Sequence, residues 1–261
     1  MINVRDFVFV ESMRPFLVAH RGGVIGPDAP ENSMLAIQRA AEHGYAMVEL
    51  DVMEAADGEP VLMHDALFIS CGVRKRVCDL TSEELTGLRY RASDEHLVTF
   101  ADAVAACADL GLGMMLDKLR RDSDSDPDMS PRCMERVKSL IVGAGLESST
   151  VAIVDTPRLR AHLEDVMVFR MRPSDYEQVL AKGTIPKDRF WFGWAADISE
   201  EGIIALHESG AFAIVSINTF HYPPHAPYII ACEDIDRLLA AGMDGFQIDS
   251  VYEAHFKSRR M

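Results

Sequence analysis

The sequence predicts a (β/α)8 TIM barrel of the α/β class, filling residues 1–261 as one domain, and three observations predict it. Short β-rich runs alternate with amphipathic helical patterns from end to end, the signature of repeated βα units around a parallel sheet. The chain has 261 residues, 48% of them apolar, enough to bury one large core of barrel size. Ionisable residues recur where the β-rich runs end, the place where a barrel carries its reactive groups.

FLVAH (residues 16–20) is the first strand. A helix follows over 33–43: Leu35, Ile37, Ala40 and Ala41 supply its apolar side, Asn32 or Ser33 caps its start and Gly44 ends it. AMVELDV (46–52) is the second strand and PVLMH (60–64) the third. Further strands are expected at 112–117, 150–155, 166–170, 190–194, 213–218 and 245–249. Nine strands are thus expected for eight places, so either one of these segments is not a strand or one lies outside the barrel. The connection over 53–59 is too short for the crossover that parallel neighbours need, which marks the irregular point of the topology. RRDSDSDPDMSP (120–131) and HYPPHAPY (221–228) are proline-bearing loops after strands, and so candidates for the rim or a lid.

Twenty-six Lys and Arg stand against 41 Asp and Glu, a formal charge of −15. That balance argues against a nucleic-acid or anionic-membrane surface, both of which need a basic face, and an anionic substrate must instead meet local positive charge. Arg5, Asp6 and Glu11 interrupt the N-terminal run before it forms a secretory signal, and no stretch approaches a membrane span. The five cysteines form no CxxC pair, which fits reduced thiols in a cytoplasm; Cys71 and Cys78, the close pair, read as small semi-buried residues. The pattern points to no particular oligomeric state.

The chemistry is concentrated on the second strand. Side chains alternate along it, so Glu49 and Asp51 share one face with Met47, while Val48, Leu50 and Val52 share the other and should pack against helices. Two anions held together inside a barrel are costly unless a cation compensates, and hard oxygen ligands suit Mg²⁺ or Ca²⁺. Asp117, ending LGMMLD, is a third ligand candidate or a helix cap. His20 and His64 each end a strand, and two histidines on opposite sides of a phosphorus can act as general base and general acid. Arg21 can bind two phosphate oxygens at once, and Gly22 and Gly23 should let backbone approach a ligand.

The ordered segments VAHRGG, APENSMLAIQRAAEHGYAMVELDV, ADGEPVLMHD and GMDGFQIDS resemble the glycerophosphodiester phosphodiesterase family, with its HRG, PENT-like, VELDV, DG-PV-HD and closing GVDGI-TD motifs. The resemblance implies a GDPD-like TIM barrel that uses one divalent metal to hydrolyse glycerophosphodiesters to glycerol 3-phosphate and an alcohol, with attack by water or by the glycerol's own 2-hydroxyl. It implies His20 and His64 as the catalytic pair, Glu49 and Asp51 as metal ligands with Glu31 close by, and Arg21 on the phosphate. The partner implied is a small-molecule phosphodiester.

Three segments depart from the family pattern. The family's acid-x-Lys becomes DK, so Lys118 follows Asp117 directly and falls on the opposite face of a regular strand unless a bulge restores it or Arg120 replaces it. The stretch after His64 and Asp65 reads ALFISCGVRKR rather than Arg-Thr-Thr-like, so substrate contacts from that loop are not carried over. Val215 stands where a WTVN-like tryptophan is usual, which should remove an apolar wall for the glycerol. A lysophospholipase D or sphingomyelinase D-like phosphodiesterase is the nearest rival, for which Trp191 and Trp194 could supply an apolar wall, although aromatics in a strand are more often core; a barrel that binds a phosphorylated ligand without catalysis is a second.

Overall fold

The computed structural model describes residues 1–91, 93–125, 127–183 and 188–259. Its strands are β1 (Phe16–Ala19), β2 (Met47–Glu54), β3 (Pro60–Leu62), β4 (Gly113–Arg120), β5 (Thr150–Ala152), β6 (Val168–Arg170), β7 (Arg189–Trp194), β8 (Phe212–Ile217) and β9 (Gly245–Ile248). They run in the order β1-β9-β8-β7-β6-β5-β4-β2, and β1 pairs with β2 to close a barrel of eight parallel strands with helices outside. The extra strand is β3, which pairs antiparallel with the end of β2. The short connection after Met53 therefore makes a hairpin, which needs no crossover.

Alternation sorts each strand's residues between two cores. Val48, Leu50 and Val52 of β2 join Ala152, Phe169, Trp191, Val215 and Phe246 in the layer between strands and helices. Met47, Met115, Val151, Val168, Phe190 and Ile214 fill the lumen, together with Ile2, Val4 and Val10 from the N-terminal segment. That segment includes the helix Phe7–Ser12, capped by Asp6, and it stoppers the end of the barrel opposite the strand C-termini. All eight residues of β2 are buried, so Glu49 and Asp51 are interior and not on an exposed edge.

The expected helix over 33–43 is present as Met34–Glu42, with the Ser33 hydroxyl accepting from the Ala36 amide. Asn32 is not the cap; it is wholly buried and points elsewhere. Gly22 and Gly23 also differ from expectation. A side chain at Gly22 would meet the Asn32 backbone at 2.6 Å, and one at Gly23 the Ala36 carbonyl oxygen at 2.0 Å. These glycines let the turn after β1 lie against the helix start and do not open the backbone to a ligand. Beyond β3, Met53, Val61, Met63, Leu67, Leu80, Leu85 and Leu97 build a small side core beside the barrel mouth. No disulfide joins any of the five cysteines, Cys71 and Cys78 included.

Candidate active site

Glu49, Asp51 and Asp117 offer carboxylate oxygens that lie within 4.8 Å of one another at the C-terminal ends of β2 and β4. The β2–β4 register sets Asp51 beside Asp117, and both strands present them on the lumen face. Burial pushes the Glu49 carboxyl well above its ordinary range, and the neighbouring charges of Asp51 and Asp117 push it further. Asp51 is raised too, chiefly by burial, although the charges of His64 and Lys118 and a hydrogen bond from Asn32 oppose the rise. Asn32 donates through Nδ2 to Asp51 Oδ2 at 2.9 Å and accepts from the Asp51 amide at 3.2 Å. The other oxygen, Asp51 Oδ1, is buried with no partner among the described residues. An orphaned carboxylate oxygen between two more acids fits a hard divalent cation in chemistry and in charge.

His20 lies beside Glu49 of this cluster, and His64 lies near enough to Asp51 to lower its pKa. His20 begins the 3-10 turn after β1, with Nε2 3.9 Å from Glu49 Oε2. Its Nδ1 donates to Asp249 Oδ1 at 2.7 Å, which assigns the free lone pair to Nε2. Asn218 Nδ2 lies 3.4 Å from that same Nε2. Asp249, one residue past β9, is fixed by the Thr219 amide at 2.7 Å and the Thr219 hydroxyl at 2.6 Å. Burial alone would raise the Asp249 carboxyl, but these bonds and the one from His20 outweigh it and hold the carboxyl below its ordinary range. His64 is placed by the hairpin, since the Met63 amide donates to the Asp51 carbonyl at 2.9 Å and carries the next residue over the end of β2. His64 Nδ1 donates to Asp65 Oδ1 at 2.7 Å.

Arg21 adopts a left-handed backbone, φ 54°, and its amide donates to Glu49 Oε2 at 2.7 Å. Its guanidinium donates to Glu31 Oε2 at 2.7 Å and lines the mouth. Glu31 stands with His64 and Asp65, whose ligand atoms gather within 4.8 Å, and not with the three strand carboxylates. A cavity of about 550 Å³ opens over His20, Arg21, Glu31 and Asp249, with Ile25, Phe220 and Val251 at its edge. A larger hollow of about 760 Å³ beside Asp28, Arg89 and Arg91 contains none of these carboxylates or histidines.

The structure resolves the question of Lys118. The β2–β4 register shifts after Val52, so that Met53 pairs with Arg120, and Lys118 and Leu119 both have positive φ, 64° and 41°. This bulge buries Leu119 in the outer core, in the place a regular strand would give Lys118. Lys118 is thereby left near enough to Asp51 to lower its pKa. Val215 is fully buried in the outer layer among helices, so this position presents no wall to the site. Trp191 takes the core place and not the wall, since its ring lies in that layer 6.0 Å from Tyr176. Trp194 does reach the rim, 54% exposed, with its ring 4.6 Å from His221. The rim loop expected at 221–228 begins earlier, with a 3-10 turn Thr219–His221 that brings Phe220 to 6.2 Å from the His20 ring.

Sequence reasoning offered Asn32 only as a helix cap and assigned no role to Asn218 or Asp249. Asp249 carried one signal, a carboxylate directly after a strand, which is the same signal that singled out His20.

Residues 20–144 match the glycerophosphoryl diester phosphodiesterase family. Over 109 residues the chain is 41% identical to glycerophosphodiester phosphodiesterase 1 of Bos taurus and 40% identical to that of Homo sapiens. Those stretches cover 38% of this chain, and the chain spans about a third, 32%, of the length of these curated relatives. Among solved structures, a glycerophosphoryl diester phosphodiesterase from Parabacteroides distasonis superposes with a TM-score of 0.72 at 20% identity, covering 100% of this chain and 94% of that one. An Oleispira antarctica phosphodiesterase solved in complex with the product sn-glycerol-3-phosphate superposes with a TM-score of 0.71 at 15% identity, covering 97% and 99%. The segment over residues 20–144 is thus similar to the glycerophosphoryl diester phosphodiesterase family, and the whole chain shares its barrel fold with these solved structures.

Proposed function

We propose that this chain, acting as one barrel unit over residues 1–261, is a phosphoric diester hydrolase that cleaves glycerophosphodiesters to glycerol 3-phosphate and an alcohol. The carrying observation is the buried Asp51 Oδ1, unpartnered among the described residues, in a cluster with Glu49 and Asp117 that has His20 beside Glu49 and His64 near Asp51. Glu49, Asp51 and Asp117 would hold one divalent cation, Mg²⁺ or Ca²⁺, with Glu31 nearby, and the ion when bound supplies charge neutralisation at the phosphoryl group. Arg21 and Lys118 bring the local positive charge that a diester needs in a chain of net charge −15.

His20 Nε2, with its lone pair held free by Asp249, accepts the proton of the attacking hydroxyl. His64, hydrogen-bonded to Asp65, returns a proton to the departing oxygen, and the two placements suit opposite ends of one diester. Five cysteines, none of them in a disulfide, support a reducing compartment such as the cytoplasm. No helix among the described residues is long and apolar enough to cross a membrane.

Incubation with glycerophosphocholine, glycerophosphoethanolamine and glycerophosphoinositol, with Mg²⁺, Ca²⁺ or chelator, tests the reading through released glycerol 3-phosphate. Release that needs the cation and is abolished in His20→Ala is expected; release unaffected by either change would overturn it. A second reading, cleavage of diesters that carry an apolar chain, is favoured by Ile25, Phe220 and Val251, which are 40%, 65% and 53% exposed around the cavity. Phe220→Ser lowering kcat/KM for lysophospholipids and sparing glycerophosphocholine would decide for it.

A further inference from the structure

Arg170, the last residue of β6, has a position that nothing in the proposed reaction uses. Its neighbours Phe169 and Met171 both pack in the outer layer against helices, whereas Val168 lies in the lumen core. Alternation therefore turns Arg170 inward at the mouth of the barrel. In the closed order β1-β9-β8-β7-β6-β5-β4-β2, β6 is the fifth strand round from β1, so Arg170 stands on the wall opposite His20 and Arg21. The interior of an eight-stranded barrel is only just wide enough for side chains to fill, so inward groups at the ends of opposite strands look into one space.

The guanidinium is half-buried and unpartnered among the described residues. The Arg170 carbonyl accepts from Arg160 Nη2 at 3.3 Å. Its neighbours Arg160 and Arg172 are by contrast both tied to the Asp155 carboxylate at 2.8 Å. In a chain with 41 acidic residues, this inward-facing arginine thus meets no carboxylate among the described residues. An arginine is a planar two-toothed donor whose natural partner is an oxyanion.

We propose that Arg170 is a specificity residue which binds an oxyanion, a carboxylate or a second phosphate, on the alcohol half of the diester. The inference rests on the proposed diester hydrolysis. With the phosphoryl group held between Arg21 and the carboxylate cluster, one half of the substrate meets the rim of Ile25, Phe220 and Val251. The other half extends across the mouth towards β6, where Arg170 meets its anionic group.

Glycerophosphoserine and glycerophosphoethanolamine differ only by a carboxylate on the alcohol, and a glycerophosphoinositol phosphate carries a phosphate there instead. For the purified full chain, Arg170→Gln should lower kcat/KM for the anionic diester it serves about 10- to 100-fold, the worth of a charge-assisted hydrogen bond. It should change glycerophosphoethanolamine turnover less than about threefold, and Arg170→Lys should recover part of the loss. The carboxylate and phosphate substrates distinguish the two sources of the oxyanion. Equal losses on charged and neutral diesters, or none on any, would overturn the assignment. Should the wild type cleave no diester, the underlying reading fails by itself. Calorimetric binding of the intact glycerophosphoserine and glycerophosphoethanolamine to wild type and Arg170→Gln then decides for Arg170: a preference for the serine diester that the variant loses supports the site, and no preference overturns it.

Discussion

At the scale of single residues, the bond between His20 and Asp249 decides which nitrogen of His20 has its lone pair available for the proposed chemistry. Asp249→Asn keeps the shape but places a donor or a weaker acceptor against Nδ1, so the Nε2 lone pair is no longer assured. A kcat lower by on the order of 100-fold or more is expected, with KM little changed, as steady-state kinetics would read. The same substitution has a pH signature. The Asp249 carboxyl is held below its ordinary range in the folded state, so its contribution to stability is complete above the unfolded value of about 4 and is lost as the pH falls through the folded value. The stability gap between wild type and Asp249→Asn should therefore narrow on acidification below about pH 4, measured by denaturant titration; a gap that widens there would contradict the assignment. His20, Glu49 and Asp51 were legible because alternation and strand ends are local properties. Their partners were not, since Asp249 lies 229 residues from His20 and Asn218 lies 198 away, and which strand ends meet is a property of barrel closure. Asp51 Oδ1 supplies a second expectation. Millimolar Mg²⁺ or Ca²⁺ at a hundredfold excess over its Kd should raise the wild-type Tm by about 5 °C, from about 2.7 kcal/mol of binding linkage, and leave Asp51→Asn much less changed.

At the scale of elements, β4 and the β2–β3 hairpin show where sequence periodicity fails. The DK order in β4 puts Lys118 on the wrong face of a regular strand, and an alternating pattern carries no mark of an extra residue. The bulge is enforced instead by burial of Leu119, 2% exposed among the helices, which carries more apolar area into the core than Lys118 could. Lys118→Ala should raise KM about 10-fold by removing the cation, with a small change in Tm, because the backbone at this position is strained for either residue. Leu119→Ala should instead cost about 2–4 kcal/mol of stability in urea titration, since it empties a buried site. Nine strand runs were all found, and the misfit between nine and eight located the hairpin. What periodicity lacked was direction, because a three-residue strand reads alike whether it runs parallel or antiparallel. The hairpin's direction is also what hangs His64 over Asp51.

At the scale of the whole molecule, the barrel divides stability from chemistry along its axis. The mouth gathers three carboxylates, strained backbone at Arg21, Lys118 and Leu119, and an unpartnered buried oxygen, all of which cost folding free energy. The opposite end is filled by apolar side chains instead: Ile2, Val4 and Val10 occupy it, with Phe16, Met47 and Phe212 around them. The barrel class was legible because repeated βα units dictate it, but this stopper was not, since an N-terminal run broken by Arg5 and Asp6 resembles a solvated arm. Arg5 escapes that reading by reaching outward to the Glu147 and Asp165 carbonyls at 3.3 and 3.1 Å, while Ile2 turns into the lumen at 1% exposure. Ile2→Ala should therefore destabilise the chain by about 2–4 kcal/mol and lower its Tm by about 4–8 °C. The substitution lies at the far end from the mouth, so kcat/KM at 25 °C should stay within about twofold of wild type, because the folded fraction and the mouth geometry are both retained. Parallel measurement of thermal unfolding and glycerol 3-phosphate release checks both halves: a loss of turnover in protein that is still folded would mean that strain passes along the strands from stopper to mouth, and that the two ends are one cooperative device.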